Sequence, residues 1–161
     1  MSDILWPVPE RRLNAAGARR AISLQHERIR GLLETAHDVA EHALDGEGGS
    51  PDAVANAIGD IHAMLEAHLT FEEKVLVAIL EDDLPLGPVR AQHLKEDHEK
   101  QRATLAALHR EALKGPELPT LAAKLAFLTT WLLADMEDEE SNILTAEVVR
   151  DDIVVIDQSS G

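Results

Sequence analysis

Four short stretches of this 161-residue chain carry most of its chemical potential: His26 in LQHERIRGLL, His68 and Glu72 in HLTFEE, His98 in EDHEK, and Asp135 and Glu139 in DMEDEE. Imidazole nitrogen and carboxylate oxygen are ligands for divalent metal ions, and without sulfur they suit iron, manganese or zinc. The four-residue spacing of His68 to Glu72, and of Asp135 to Glu139, puts both side chains of a pair on one helical face, one turn apart. That arrangement provides one terminal ligand and one carboxylate able to bridge two ions. Three carboxylates gathered in a dry interior repel one another unless protons or cations intervene. Two divalent cations and a bridging hydroxide would bring three neutral imidazoles and three carboxylates to zero charge.

Helices must supply the positions. Ala and Leu dominate, both favour helix, and period-two β-branched runs are nearly absent. Gly and Pro cluster in DGEGGSP (45–51), DDLPLGP (82–88) and KGPELP (114–119), which are loop signals. They leave four long segments, 15–44, 52–81, 88–113 and 120–146. Pro51 and Pro88 fit first helical residues after Ser50 and Gly87 as N-caps, and Gly115 fits a C-terminal stop. Short loops make neighbours antiparallel, so the expected fold is an all-α, up-down-up-down four-helix bundle.

Steps of three and four trace one buried stripe per segment. They run Ile22, His26, Ile29, Leu33; then Ile61, Leu65, His68, Glu72, Val75; then Leu94, His98, Gln101, Leu105; then Leu128, Leu132, Asp135, Glu139, Asn142. Each stripe is apolar except around the ligand candidates. At about 1.5 Å per residue all six candidates fall near one level of the bundle. Taken singly, His26 or His98 would be a hydrogen-bonded core histidine, and DMEDEE would be a solvated acidic face. Glu73 and Glu140 rotate toward a flank, as surface or supporting groups. His37, His42, His62, His93 and His109 lie beside the stripes, with His62 and His93 near enough to support the site. Phe71 and Trp131 read as core.

Composition narrows the partners. Thirty acidic residues against fifteen basic ones give a formal charge of -15, which repels nucleic-acid backbones. There is no Cys, hence no disulfide, thiol nucleophile or thiolate metal site. No apolar run reaches membrane-span length, and Met1–Pro9 does not resemble a signal peptide, so a cytoplasmic protein is expected. GEGG lacks the Lys-Ser/Thr of a phosphate loop, and no nucleophile–base arrangement is legible.

In order and spacing the four stretches resemble the hemerythrin family, specifically its HHE cation-binding branch, over about 20–146. The resemblance implies a single domain over 1–161, with the bundle at about 15–146, an N-terminal arm at 1–14 and a C-terminal tail at 147–161. It implies a dinuclear, most simply di-iron, centre that meets O₂, NO or peroxide in sensing, scavenging or iron handling. His26, His68, His98 and Asp135 would be terminal ligands, with Glu72 and Glu139 bridging. Two positions depart from the family pattern. Leu94 and Arg102 flank His98 where oxygen carriers have HxxxH, and Asp135 stands for a fourth-helix His. Harder ligands favour oxidised metal over reversible O₂ carriage, or a weakened or single-ion site. Two other readings stay open: a carboxylate-rich di-iron oxidase or peroxidase, and a metal-free helical interaction bundle. The apolar tail, VVI at 154–156, offers a surface for a protein partner or a second copy.

Overall fold

Asn14 starts the first helix by accepting a hydrogen bond from the Gly17 backbone N–H at 2.9 Å, as a short polar N-cap does. Helix α1 then runs over Ala15–Leu44. Ser50 caps α2, Pro51–Asp83, its hydroxyl accepting from the Ala53 N–H at 3.0 Å. Helix α3 spans Gly87–Ala112 and α4 spans Leu118–Asn142. The computed structural model describes residues 6, 13–46, 48–83, 86–145 and 149, and no strand occurs among them. The VVI run of the tail lies outside the described residues, as does most of the arm, while Val149, the described residue of the tail, is buried.

Gly87 has a different part from the cap expected of it. Leu86 precedes α3 with no side-chain cap bond, and Gly87 is the helix's first residue. A Cβ at 87 would stand 1.7 Å from the Leu80 carbonyl oxygen, so glycine lets α3 start directly against the end of α2. Gly115, at φ +68°, supplies the left-handed turn that stops α3. Helix α4 begins at Leu118, earlier than the expected 120. It ends at Asn142 rather than 146, where the N–H groups of Ile143 and Leu144 both donate to the Glu139 carbonyl.

The four helices form the expected bundle. Helix α1 packs closely on α4 and α2, and α2 packs on α3 and, across the bundle, on α4. Helices α3 and α4 approach each other least of the adjacent pairs. The apolar core is divided. One part gathers Ile29, Leu33, Ile58, Ile61, Leu105, Leu125 and Leu128, and the other gathers Ile22, Leu76, Leu80, Ala91 and Leu94. Each of these Ile and Leu side chains contributes about 1.5–3 kcal/mol when buried. Between the two parts lie buried His26, His68, Glu72, His98 and Glu139.

The buried faces of α1, α2 and α3 contain every residue of the stripes traced above. Helix α4 departs after Leu132. There Met136, four residues on, is buried, whereas Asp135, three residues on, is half-buried and Asn142 is exposed. A step of four keeps the core continuous with an apolar side chain, and Asp135 turns to the flank. No described helix is long and apolar enough to cross a membrane.

Candidate metal centre

Glu72 is the hub. It is fully buried, and neither carboxylate oxygen has a hydrogen-bond partner. Its Oε1 faces the Nε2 atoms of His68 at 3.3 Å and His26 at 3.6 Å, while Oε2 faces His98 Nε2 at 3.3 Å. One carboxylate thus presents its two oxygens to two separate sets of imidazole nitrogens. Glu139 approaches from α4, with Oε2 at 3.7 Å from His26 Nε2 and Oε1 buried without a partner. One ligand atom from each of His26, His68, Glu72 and Glu139 can be chosen so that all lie within 4.8 Å of one another.

The outer nitrogens of the rings explain why the inner ones point inward. His68 Nδ1 donates to the side-chain carbonyl of Gln25 at 2.8 Å. His26 Nδ1 donates to Glu140 Oε1 at 2.8 Å, and His98 Nδ1 to Glu73 Oε1 at 3.1 Å. A carboxylate or amide oxygen accepts only, so each ring is fixed as its Nδ1–H form and leaves Nε2 free for a ligand. Arginines hold the two supporting carboxylates. Arg30 donates to Glu140 at 2.7 Å, and Arg102 forks onto Glu73 at 2.6 and 3.3 Å. These chains tie α1 to α4 and α3 to α2.

Electrostatics follow from that layout. Burial pushes Glu72 up, but the His68, His26 and His98 imidazoles outweigh it and hold the carboxyl well below its usual range. Burial, then the nearby Glu72 charge, pushes Glu139 well above its usual value. His68 is driven down to about 4 by burial, with His26 and His98 adding to the shift against the pull of Glu72. For His26, burial is outweighed by Glu72 and Glu140, and its pKa rises. The Nε2 atoms of His26 and His68 stand 3.2 Å apart. Neutral His68 offers a lone pair there, so a proton on His26, or a cation, has to lie between them. Burial raises Glu73 and Glu140, but Arg102 and Arg30 respectively, helped by the histidines, bring both below normal.

Asp135 sits apart from the four-residue cluster. It is half-buried and accepts a hydrogen bond from the Gln101 amide. Burial and then repulsion by Asp97 raise its pKa. Asp135 and Glu139 share a cleft between α3 and α4 with His98 and Gln101.

The remaining histidines stay off the centre, as their phase implies. His37 meets Thr129 and Glu41, His42 reaches the Asp38 carbonyl, and His62 stacks at a tilt on His109 with ring centroids 4.9 Å apart. His93 reaches the cleft, but His62 does not support the site. Trp6 stands edge-on to His68 at 6.1 Å, a contact the sequence reading did not foresee. Nor did that reading see Gln25 or the Arg–Glu–His chains. A signal for them is present: H-E-x-x-R occurs at both 26–30 and 98–102, and E-E at both 72–73 and 139–140.

These residues form a helical bundle with a buried histidine–carboxylate site whose orphaned Glu72 and Glu139 oxygens fit a cation. Residues 18–146 match the Hemerythrin HHE cation binding domain, and the chain belongs to that family. Neither the comparison with curated proteins nor that with solved structures returns a match.

Proposed function

We propose that this chain holds a non-haem dinuclear centre, iron foremost, with manganese or zinc as the other metals its nitrogen and oxygen ligands suit. His26 and His68 serve one ion, His98 and Asp135 the other, and Glu72 and Glu139 join them. The observation that carries this reading is the Glu72 carboxylate, buried, unpartnered and turned with one oxygen to each imidazole set. Neither oxygen accepts a hydrogen bond, and a cation on each side would give it a partner shared with the imidazoles it faces. Bound iron would supply coordination and redox chemistry toward O₂, NO or peroxide, in sensing, scavenging or iron handling in the cytoplasm.

The protein's own side chains set how such a centre behaves. The Arg–Glu–His chains keep the imidazoles oriented, and harder carboxylate ligation on the α4 side favours the oxidised metal. The test is metal quantification of purified protein, with absorption spectra before and after dithionite. About two ions per chain and bands that bleach on reduction are expected. Less than about half an ion per chain, with the fold intact, would instead favour a metal-free interaction bundle.

A further inference from the structure

Resting on the metal-binding reading, we propose that the α3–α4 cleft is the port through which a hydrated divalent cation enters and leaves the site. The cleft is a cavity of about 60 Å³, which has room for several waters. Its carboxylates descend in order of burial. Asp97 and Asp138 are exposed, Asp135 is half-buried, and Glu139 is 9 % exposed. At the inner end Glu139 Oε1 has no hydrogen-bond partner, so the path leads to an unfilled acceptor that also belongs to the metal cluster.

The charge pattern separates this cleft from the rest of the site. Glu73 and Glu140 are each clamped by an arginine. Within the cleft Asp135 takes only the neutral Gln101 amide, and Asp138 takes the Asn142 amide. Asp97 pairs with Lys100, a flexible, exposed partner that competes weakly with a cation. Acidic walls in a low-dielectric cleft focus the field and concentrate cations. The cavity on the α1–α2 side, beside Trp6, Leu24 and Phe71, is mainly apolar and gives a hydrated ion little to bind. The other adjacent helix pairs pack closely, and only α3 and α4 stand off.

A cation would be gathered by Asp97 and Asp138, shed water as Asp135 exchanges the Gln101 amide for it, and pass to Glu139. Co²⁺ is a suitable probe because its visible absorption reports coordination. Its association is followed by stopped flow at several salt concentrations, with the number of ions bound at saturation measured alongside. The test protein is the double variant D97N/D138N. The control is E34Q/D38N, which removes the same charge from exposed positions on α1. Expected are association slowed about tenfold in D97N/D138N, a flatter salt dependence and unchanged stoichiometry, with less than about twofold slowing in the control. Equal rates in the two double variants would overturn the port while leaving the metal centre standing. A wild-type chain that takes up no Co²⁺ would overturn the metal centre and the port with it.

Discussion

The α1–α2 and α3–α4 sides of the site begin from the same short pattern and end differently. Each has a histidine followed four residues later by arginine, and each has a ligand-type residue four before a paired Glu-Glu. On the α1–α2 side the fourth member is His68, buried and bonded to Gln25, the residue before His26. On the α3–α4 side it is Asp135, half-buried, with Asp97 as the residue before His98. The first side adjoins a mainly apolar cavity beside Trp6 and Phe71, and the second opens into the acidic cleft. An imidazole needs a fixed acceptor for its outer nitrogen and a dry setting for its inner one. A carboxylate tolerates water and a polar amide. Exchanging one residue type therefore accompanies the change from apolar to acidic surroundings.

The sharpest way to break this comparison is to remove ligands from each side. His68→Ala or Glu72→Ala should abolish dinuclear binding, since the first removes a ligand from the α1–α2 side and the second removes the carboxylate that faces both. Content that stays near the wild-type level in either variant would end the assignment. Asp135→Ala should weaken the binding of only one ion, with about a tenfold loss of affinity, equivalent to ~1.4 kcal/mol. If Asp135→Ala matched His68→Ala, the two sides would not differ as described. Next in size is Glu140→Gln, where an acceptor for His26 remains but its charge and its strong hold on Arg30 do not. Affinity should fall by about tenfold, the lower end for groups that orient metal ligands. Titration with Co²⁺ checks it, and an unchanged affinity would reduce Glu140 to a surface ion pair.

Much of this was legible before any coordinates. Helix count, bundle type and most of the buried stripes follow from periodicity and loop residues, because every helix here hides one face that is apolar except near the histidine–carboxylate layer. The inward-facing His26, His68, Glu72, His98 and Glu139 follow from the same phase. The position of Asp135 does not, because a step of three and a step of four from Leu132 are both helical, and Met136 won the core place. The supporting residues were hidden for another reason. Glu73, Glu140 and Gln25 act across helix pairs, and a single-helix pattern holds no information on which neighbour they meet. Gly87 likewise looks like a cap until the Leu80 carbonyl is seen beside it.

Protons offer a subtler probe of the two sides. In the metal-free site Glu139 and His26 hold their protons to higher pH than their ordinary 4.5 and 6.5, whereas His68 stays neutral down to about 4. Stability from the two retained protons is present below those ordinary values and is lost as pH rises through the raised ones. A cation must displace them, so affinity should climb with pH, by about tenfold per unit for each proton released. Calorimetry in buffers of different ionisation enthalpy counts those protons. Glu139→Gln should reduce the count by about one, and a pH-independent affinity would mean that cation and protons do not compete for the same atoms.

The smallest change is the most direct test of why the sides differ. Asp135→His would give the α3–α4 side the residue type that the α1–α2 side already has. Asp97 lies in the same cleft and holds the chain position that Gln25 holds beside His26. It can accept from the outer nitrogen of the new imidazole, as Gln25 does for His68. The Co²⁺ spectrum should therefore shift with the added nitrogen ligand, and affinity should change by no more than a few-fold. Adding Asp97→Ala should undo part of that shift, with a coupling of about 1 kcal/mol between the two positions. If Asp135→His leaves the spectrum unchanged, residue 135 is off the cation, and the open side is a route to the metal without being part of its coordination.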